Sequence, residues 1–427
     1  MESTILEVGA LDAEGRGVAR NREGKVVFVE GALPGERVEA RVFEQRRSFD
    51  LAHTAAVLRE SPGRRPPRCP HFGVCGGCAT QHADARTQMA AKQRWLEENL
   101  ARIGKVAPET MLPIVYGEEW GYRRRARLSA RYVATRGALV GFRERHSTHV
   151  AELRGCEVLP EPIAALILPL RELVGSLSIR DRIPQIEYAG GEGCDVLVFR
   201  HLLPLSREDE ELLARFADAH GVHVWLQPGG PDSAHPFRPE DSELYYTLPE
   251  FGLRIAFGPT DFTQVNHGVN RILVSRAVRL LDPQPGERIA DLYCGLGNFS
   301  LPLASRGAQV IGFEGSKDLV ERARKNAAAN GLVAQFEVAD LSEPNLAAWG
   351  RFEKLLIDPP REGAIGIVKS LPAEWPRRIV YVSCDPATLA RDAGVLVHTK
   401  GFRLAAAGVA NMFPHTAHVE SIALFER

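Results

Sequence analysis

A thiol, an ordered series of carboxylates and a cluster of cysteines are the parts of this chain able to do chemistry. The thiol is Cys384, which closes the run Ile379-Val-Tyr-Val-Ser-Cys384 ahead of Asp385-Pro386. The β-branched and aromatic residues of that run predict a buried strand. Such a strand delivers Cys384 to the C-terminal edge of a sheet, where open α/β sheets hold their ligands. A thiol in that place is either a small buried hydrophobe or a positioned nucleophile.

The carboxylates come in a regular order. Arg288-Ile-Ala-Asp-Leu-Tyr-Cys-Gly-Leu-Gly-Asn298 reads as a strand, a glycine loop and the start of a helix. Gly295 and Gly297 let the backbone approach a ligand, and the helix N-terminus offers free N–H groups. The loop lacks the third glycine of the dinucleotide fingerprint. Glu314 then ends Val310-Ile-Gly-Phe-Glu314, placed to take two ribose hydroxyls. Asp340 ends Gln335-Phe-Glu-Val-Ala-Asp340, and Asp358 ends Lys354-Leu-Leu-Ile-Asp358. Helix N-caps account for any one of these acids but fit the series poorly. Acids at three successive strand ends form the pattern of an S-adenosyl-L-methionine methyltransferase.

Of seven cysteines, three lie within ten residues in Cys69-Pro-His-Phe-Gly-Val-Cys75-Gly-Gly-Cys78. The glycines let the backbone wrap a metal centre and aim N–H groups at its sulfurs. In a cytoplasmic chain the default reading is metal ligation rather than a disulfide framework. Cys156 is the candidate fourth ligand. Four thiolates suit zinc or an iron–sulfur cluster, and spacing does not separate the two.

The elements that must position these groups are legible in outline. Residues 1–60 show strand alternation broken by glycine turns, the pattern of a small β-barrel. Ser61-Pro-Gly-Arg-Arg-Pro-Pro67 reads as a linker. The middle, to residue 257, carries the cysteines, a helix over about 84–103, strand-like runs at 195–200 and 222–226, and a helix around 207–219. From 258 to 427, helices and strands alternate as in a doubly wound α/β domain. The expected architecture is an α/β chain of three domains: barrel (1–60), central α+β unit with the cysteines (61–257) and Rossmann-like domain (258–427).

The hydrophobic fraction of 44% and charged fraction of 25% are those of a soluble globular protein. No leader or apolar span is readable, so the expectation is a cytoplasmic protein without membrane contact. Net charge is −1, yet Tyr122–Arg145 holds eight arginines against the single acid Glu144, and Arg64, Arg65 and Arg68 add a second basic run. Arginine favours bidentate phosphate contacts, which points to RNA; a solvated strand face is the plainer alternative.

Together these motifs closely resemble the RNA uracil-C5 methyltransferases, in particular the branch that joins a TRAM domain to a [4Fe-4S] centre and acts on 23S ribosomal RNA. The resemblance covers essentially the whole chain. It implies that residues 1–60 are the TRAM domain and that Cys69, Cys75, Cys78 and Cys156 ligate the cluster. It implies that Gln264, in Phe262-Thr-Gln-Val-Asn266, contacts the cofactor, as do Tyr293, Asn298, Glu314 and Asp340, with Asp358 close by in the active site. Ser383-Cys384-Asp385-Pro386 matches the nucleophile motif, and Met412-Phe-Pro-His-Thr-Ala-His-Val-Glu-Ser421 the motif whose glutamate, here Glu420, is the base. His415 and His418 of that motif are either donors behind the site or packing residues. Two positions depart from that branch: Asp385 stands where asparagine is usual, and Asp358-Pro-Pro-Arg-Glu362 replaces the more usual Asp-Pro-Ala-Arg-Ala. The implied protein is a monomer. The chemistry is coherent, because uracil C5 becomes nucleophilic only when a thiolate adds at C6, and a base must then remove the C5 proton.

Overall fold

The structure, a computed structural model, describes residues 3–427. Five strands between Ser3 and Arg59 close into a barrel, and strands Val26–Glu30 and Phe49–Arg59 run parallel across the seam. Alternation drives it: Leu6, Val8, Val27, Val29, Val38 and Ala40 turn inward while their neighbours face water. Gly17 is required by close approach, since a Cβ there would lie 2.8 Å from Val8. The proline-rich segment behind the barrel is anchored to it. Arg64 forms a forked pair with the fully buried Glu36, which also accepts the N–H groups of Leu33 (2.8 Å) and Ser61 (3.2 Å). Those bonds hold the Glu36 carboxyl below its ordinary range against the opposing effect of burial, the largest single influence.

A six-stranded sheet follows, in the order His235–Arg238, His223–Gln227, Asp195–Arg200, Gln185–Gly190, Arg125–Val133, Gly137–Gly141. The helix Arg207–His220 connects its parallel pair. It opens on a capping box between Ser206 and Asp209 and stops at Gly221, whose φ is +63°.

The third unit is an eight-stranded sheet: Gln335–Val338, Gln309–Glu314, Arg288–Leu292, Lys354–Ile357, Arg378–Ser383, Glu420–Glu426, Arg403–Ala410 and Thr110–Met111. The first five are parallel. Both faces are covered, so successive residues such as Ile379 and Val380 enter opposite cores and the strands read as unbroken apolar runs. Strand order reverses between Arg288–Leu292 and Lys354–Ile357, the switch point at which such sheets open a crevice. Thr110–Met111, expected in the central unit, pairs instead with Arg403–Ala410. The helix Ala85–Asn99 and the π-turn Leu100–Gly104 also pack here, against the helix Pro386–His398. No helix among the described residues is long and apolar enough to cross a membrane.

Gly104 is where the π-turn and that helix touch. A Cβ there would stand 2.5 Å from the carbonyl of Ala390. Gly104→Ala should therefore cost about 1–3 kcal/mol of stability, read as a lower urea midpoint or melting temperature.

Candidate active site

Cys384 follows the buried strand Arg378–Ser383 and precedes the helix Pro386–His398. Asp385 caps that helix, its Oδ1 accepting from the N–H groups of Ala387 (2.8 Å) and Thr388 (3.1 Å), with Pro386 in the first turn. Asparagine caps a helix equally well, so this departure from the family branch leaves the turn that presents the thiol unchanged. Glu420 opens the neighbouring strand, which runs antiparallel with Ser383 opposite Ser421. The Ser421 hydroxyl donates to the Ser383 carbonyl at 3.0 Å. That register sets Glu420 beside Cys384. Asp358 ends the strand on the other side of Arg378–Ser383, its N–H donating to the Leu292 carbonyl at 3.2 Å. Arg361 follows three residues on, and its guanidinium lies 3.4 Å from His418 Nδ1.

The charges of this group act on one another. Burial pushes the Cys384 thiol up to about 11, the carboxylates of Glu420 and Asp358 push the same way, and Arg361 opposes them. Glu420 is only 2% exposed and is raised well above the ordinary carboxyl range, first by burial and then by Asp358. Burial raises Asp358 to about 7. Each group in its charged form is thus a stronger nucleophile or base than its type in water.

Tyr293, Glu314 and Asp340 line a cleft of about 890 Å³ at the switch point, with Gly315, Ser342 and Gly363. Glu314 steadies the glycine loop, accepting from Gly295 N–H (3.1 Å) and Ser316 N–H (3.0 Å). Asp340 is exposed and held ionised by the hydroxyl (2.6 Å) and N–H (2.9 Å) of Ser342. Tyr293 adopts a strained left-handed φ of +64° at the cleft. Asn298 is placed differently: its carboxamide is engaged by Tyr246 (2.8 Å) and by Asn270 (2.9 and 3.1 Å). Gln264 sits half-buried in the loop before the helix His267–Leu281, outside the residues that line the cleft.

Sequence reasoning passed over Asp291. It is fully buried, its Oδ2 accepts from Ser300 Oγ at 2.5 Å, and its Oδ1 has no partner among the described residues. Burial raises it to about 7. The signal was an acid inside the apolar run Ile289-Ala-Asp-Leu292. Arg361 was also missed as the cation acting on the thiol.

All four cysteines of the expected metal centre, Cys69, Cys75, Cys78 and Cys156, line one cavity of about 540 Å³. Arg16 and Glu30 of the barrel, Arg123 and Arg145, and Arg361 and His418 of the thiol's surroundings line it too. Cys75 Sγ accepts the N–H of Gly77 at 3.4 Å, and a Cβ at Gly76 would press to 3.1 Å on the Arg143 carbonyl. Among the described residues, no set of three or more His, Cys, Asp or Glu side chains is gathered as ligands around one point. The donor set is nonetheless four thiols in one shared cavity.

The arginine-rich segment divides. Arg125 and Arg127 face Glu187, Arg136 pairs with Glu152, and Arg68 pairs with Glu157. Arg131 and Arg143 are exposed and have no ion-pair partner among the described residues.

Residues 256–427 match the family described as tRNA (Uracil-5-)-methyltransferase, and residues 4–53 match the TRAM domain. The chain is 59% identical to the 23S rRNA (uracil(1939)-C(5))-methyltransferase RlmD of Nitrosospira multiformis, covering 100% of this chain and 99% of the relative. It is 61% identical to the enzyme of that name from Thiobacillus denitrificans, covering 99% of each. Among solved structures, the Pyrococcus abyssi tRNA (uracil-54, C5)-methyltransferase in complex with S-adenosyl-L-homocysteine superposes with a TM-score of 0.75 at 25% identity, over 99% of this chain and 100% of that one. The fold is that of an S-adenosylmethionine-dependent methyltransferase carrying an N-terminal TRAM barrel. Within that class, the chain belongs to the RNA uracil-C5 methyltransferase family.

The electrostatics of the site can be checked without substrate. Alkylation of Cys384 by iodoacetamide should rise with pH toward about 11. Asp358→Asn, by removing a negative neighbour, should speed it at pH 8, and Arg361→Ala should slow it. Rates are read by mass spectrometry of the Cys384 peptide.

Proposed function

We propose that this chain methylates C5 of a uracil in 23S ribosomal RNA, with Cys384 as nucleophile and Glu420 as base. The observation that carries the reading is the side-by-side delivery of this thiol and this carboxyl by paired strands at the ligand edge of the sheet. S-adenosyl-L-methionine supplies the electrophilic methyl group. The residues proposed to hold it are Tyr293, Glu314 and Asp340 in the cleft, with Gln264 and Asn298 beside it. Because the Asn298 carboxamide is engaged elsewhere, its backbone is the part available.

Once Cys384 has lost its proton, its sulfur bonds to C6 and electron density moves to O4 and C5. C5 takes the methyl group as the methyl–sulfonium bond breaks, and S-adenosyl-L-homocysteine is left. Glu420 removes the C5 proton, the C6–S bond breaks, and the free thiolate returns. Asp358 faces the same space and is suited to the N3–H edge of the ring. The base must leave its stack to reach the thiol. The exposed ring of Phe262 and the free arginines offer stacking and phosphate contacts to the surrounding RNA. Relatives at 55–61% identity carry uracil 1939 in their names, and the same uridine is the proposed target here, for a monomer working in the cytoplasm.

Cys384→Ala should abolish methyl transfer while leaving S-adenosylmethionine binding intact; retained turnover would overturn the mechanism. Glu420→Gln should accumulate a covalent, methylated enzyme–RNA adduct that survives a denaturing gel. Mapping the modified nucleotide in rRNA lacking the modification distinguishes uracil 1939 from another rRNA uridine or the tRNA T-loop.

We infer further that Cys69, Cys75, Cys78 and Cys156 hold a [4Fe-4S] cluster. What supports this is an all-thiol donor set lining one cavity, a set that suits an iron–sulfur cluster or zinc. Protein purified without oxygen should contain about four iron atoms per chain by this reading, and Cys78→Ser should lower that content. Anaerobic protein that is colourless and free of iron, or that carries zinc in its place, would refute the cluster.

A further inference from the structure

The loop 411–419 leads directly into Glu420, and its shape is set by residues some three hundred positions earlier in the chain. Lys92 Nζ donates to the Phe413 carbonyl at 2.9 Å and to Asn411 Oδ1 at 3.3 Å, and Tyr122 Oη donates to the Pro414 carbonyl at 3.1 Å. His415 is the centre of the grip. Its N–H donates to Gln88 Oε1 (2.8 Å), its Nδ1 faces Gln88 Nε2 (3.1 Å), and its carbonyl accepts from Ala79 (2.8 Å) and Thr80 (3.0 Å). Its ring stacks on Trp120 with centroids 3.9 Å apart, and the Arg68 guanidinium also lies over that indole.

Two features show that this is more than incidental packing. His415 has a left-handed φ of +64°, a conformation uncommon for a residue with a Cβ. Gln88, Lys92, Asn411 and His415 are all buried polar residues, which a loop needing only stability would replace with apolar ones. Gln88 Nε2 also donates to the carbonyls of Thr80 (3.2 Å) and Ala83 (2.8 Å), so one side chain joins the segment after Cys78 to the loop before Glu420.

We propose that Gln88 and His415 are positioning residues for the deprotonation step, so that the segment following Cys78 sets where the Glu420 carboxyl stands. This rests on Glu420 being the base. Of the reacting groups, Glu420 is the one joined directly to loop 411–419, whereas Cys384 follows another strand, so removal of the C5 proton is the step on which the loop bears most. Loosening the grip slows the last step selectively, and the methylated covalent adduct accumulates.

The test uses the full-length protein with rRNA fragments and S-adenosylmethionine. Gln88→Ala should lower kcat on the order of 100-fold, as expected for a small misplacement of a catalytic group. KM for both substrates should stay within about twofold while the adduct on a denaturing gel increases. Trp120→Leu, at a half-buried side chain, should shift both readouts the same way and decides the matter alone if Gln88→Ala does not fold. Arg94→Ala, on the exposed side of the same helix as Gln88, should change neither. Folded variants that lose kcat without adduct, while Glu420→Gln still traps it, would overturn the positioning role. Failure of Glu420→Gln to trap any adduct would instead remove the reading on which it rests.

Discussion

The antiparallel insertion of Glu420–Glu426 between Arg378–Ser383 and Arg403–Ala410 is the constraint on which the site depends. A purely parallel sheet brings strand C-termini to one edge and sends every strand start to the other. One reversed strand breaks that rule, so a residue at its beginning meets residues at its neighbours' ends. Glu420 is that residue, and the pairing of Ser383 with Ser421 fixes it opposite the thiol. A slip of one residue would turn Glu420 to the opposite face of the sheet. Ser421 on Ser383 guards the register with a side-chain hydrogen bond where the ladder ends.

Gathering carboxyls at one edge has an electrostatic consequence. Burial raises Asp291, Asp358 and Glu420 alike, and Asp358 adds its repulsion to both of the others. Arg361 is the cation that offsets them at Cys384. A site of this kind disfavours a second negative charge when empty. It becomes favourable to charge when a cationic sulfonium and a polarisable ring enter, because opposite charge and displaced water act together in a low dielectric. The same crowding that keeps the thiol protonated makes its anion a strong nucleophile.

How much of this was legible in the sequence depended on whether the information is local. Strand ends carrying Glu314, Asp340, Asp358 and Cys384 are marked by apolar runs broken by one polar residue, and all four lie at the expected edge. The barrel followed from strand alternation, and the helix expected around 207–219 spans Arg207–His220. What failed was long-range. Thr110–Met111 is too short to declare its sheet, and its partner is nearly three hundred residues away, about as far as Gln88 is from His415. The polar residues Gln88 and Lys92 sit at i, i+4 with Leu96 on the buried face of one helix, a helical signal that reads as an interruption of amphipathicity until the loop they bind is known. The arginine run divides for a related reason: charge is visible in sequence, but its partners Glu187 and Glu152 are not.

The internal pairing of those arginines bears on where RNA could be gripped. An arginine already paired with an acid contributes little net potential, so the field at the surface comes from the cations left over. Arg131 and Arg143 are exposed, while Arg123, Arg145 and Arg361, which make no ion pair among the described residues, stand at the cavity that holds the four cysteines; Arg16, also there, is already paired with Asp12 and Glu14. The barrel's own Glu30 faces the same cavity and is met by His146 at 2.6 Å and His53 at 3.0 Å, so the barrel is tied to the cysteine unit there. Three of the cations left over therefore stand at the cavity between barrel, cysteine loop and thiol, beside the acids Glu14, Glu30 and Glu157. Arg361 lines that cavity and also acts on the Cys384 thiol, so it is the residue that links the two.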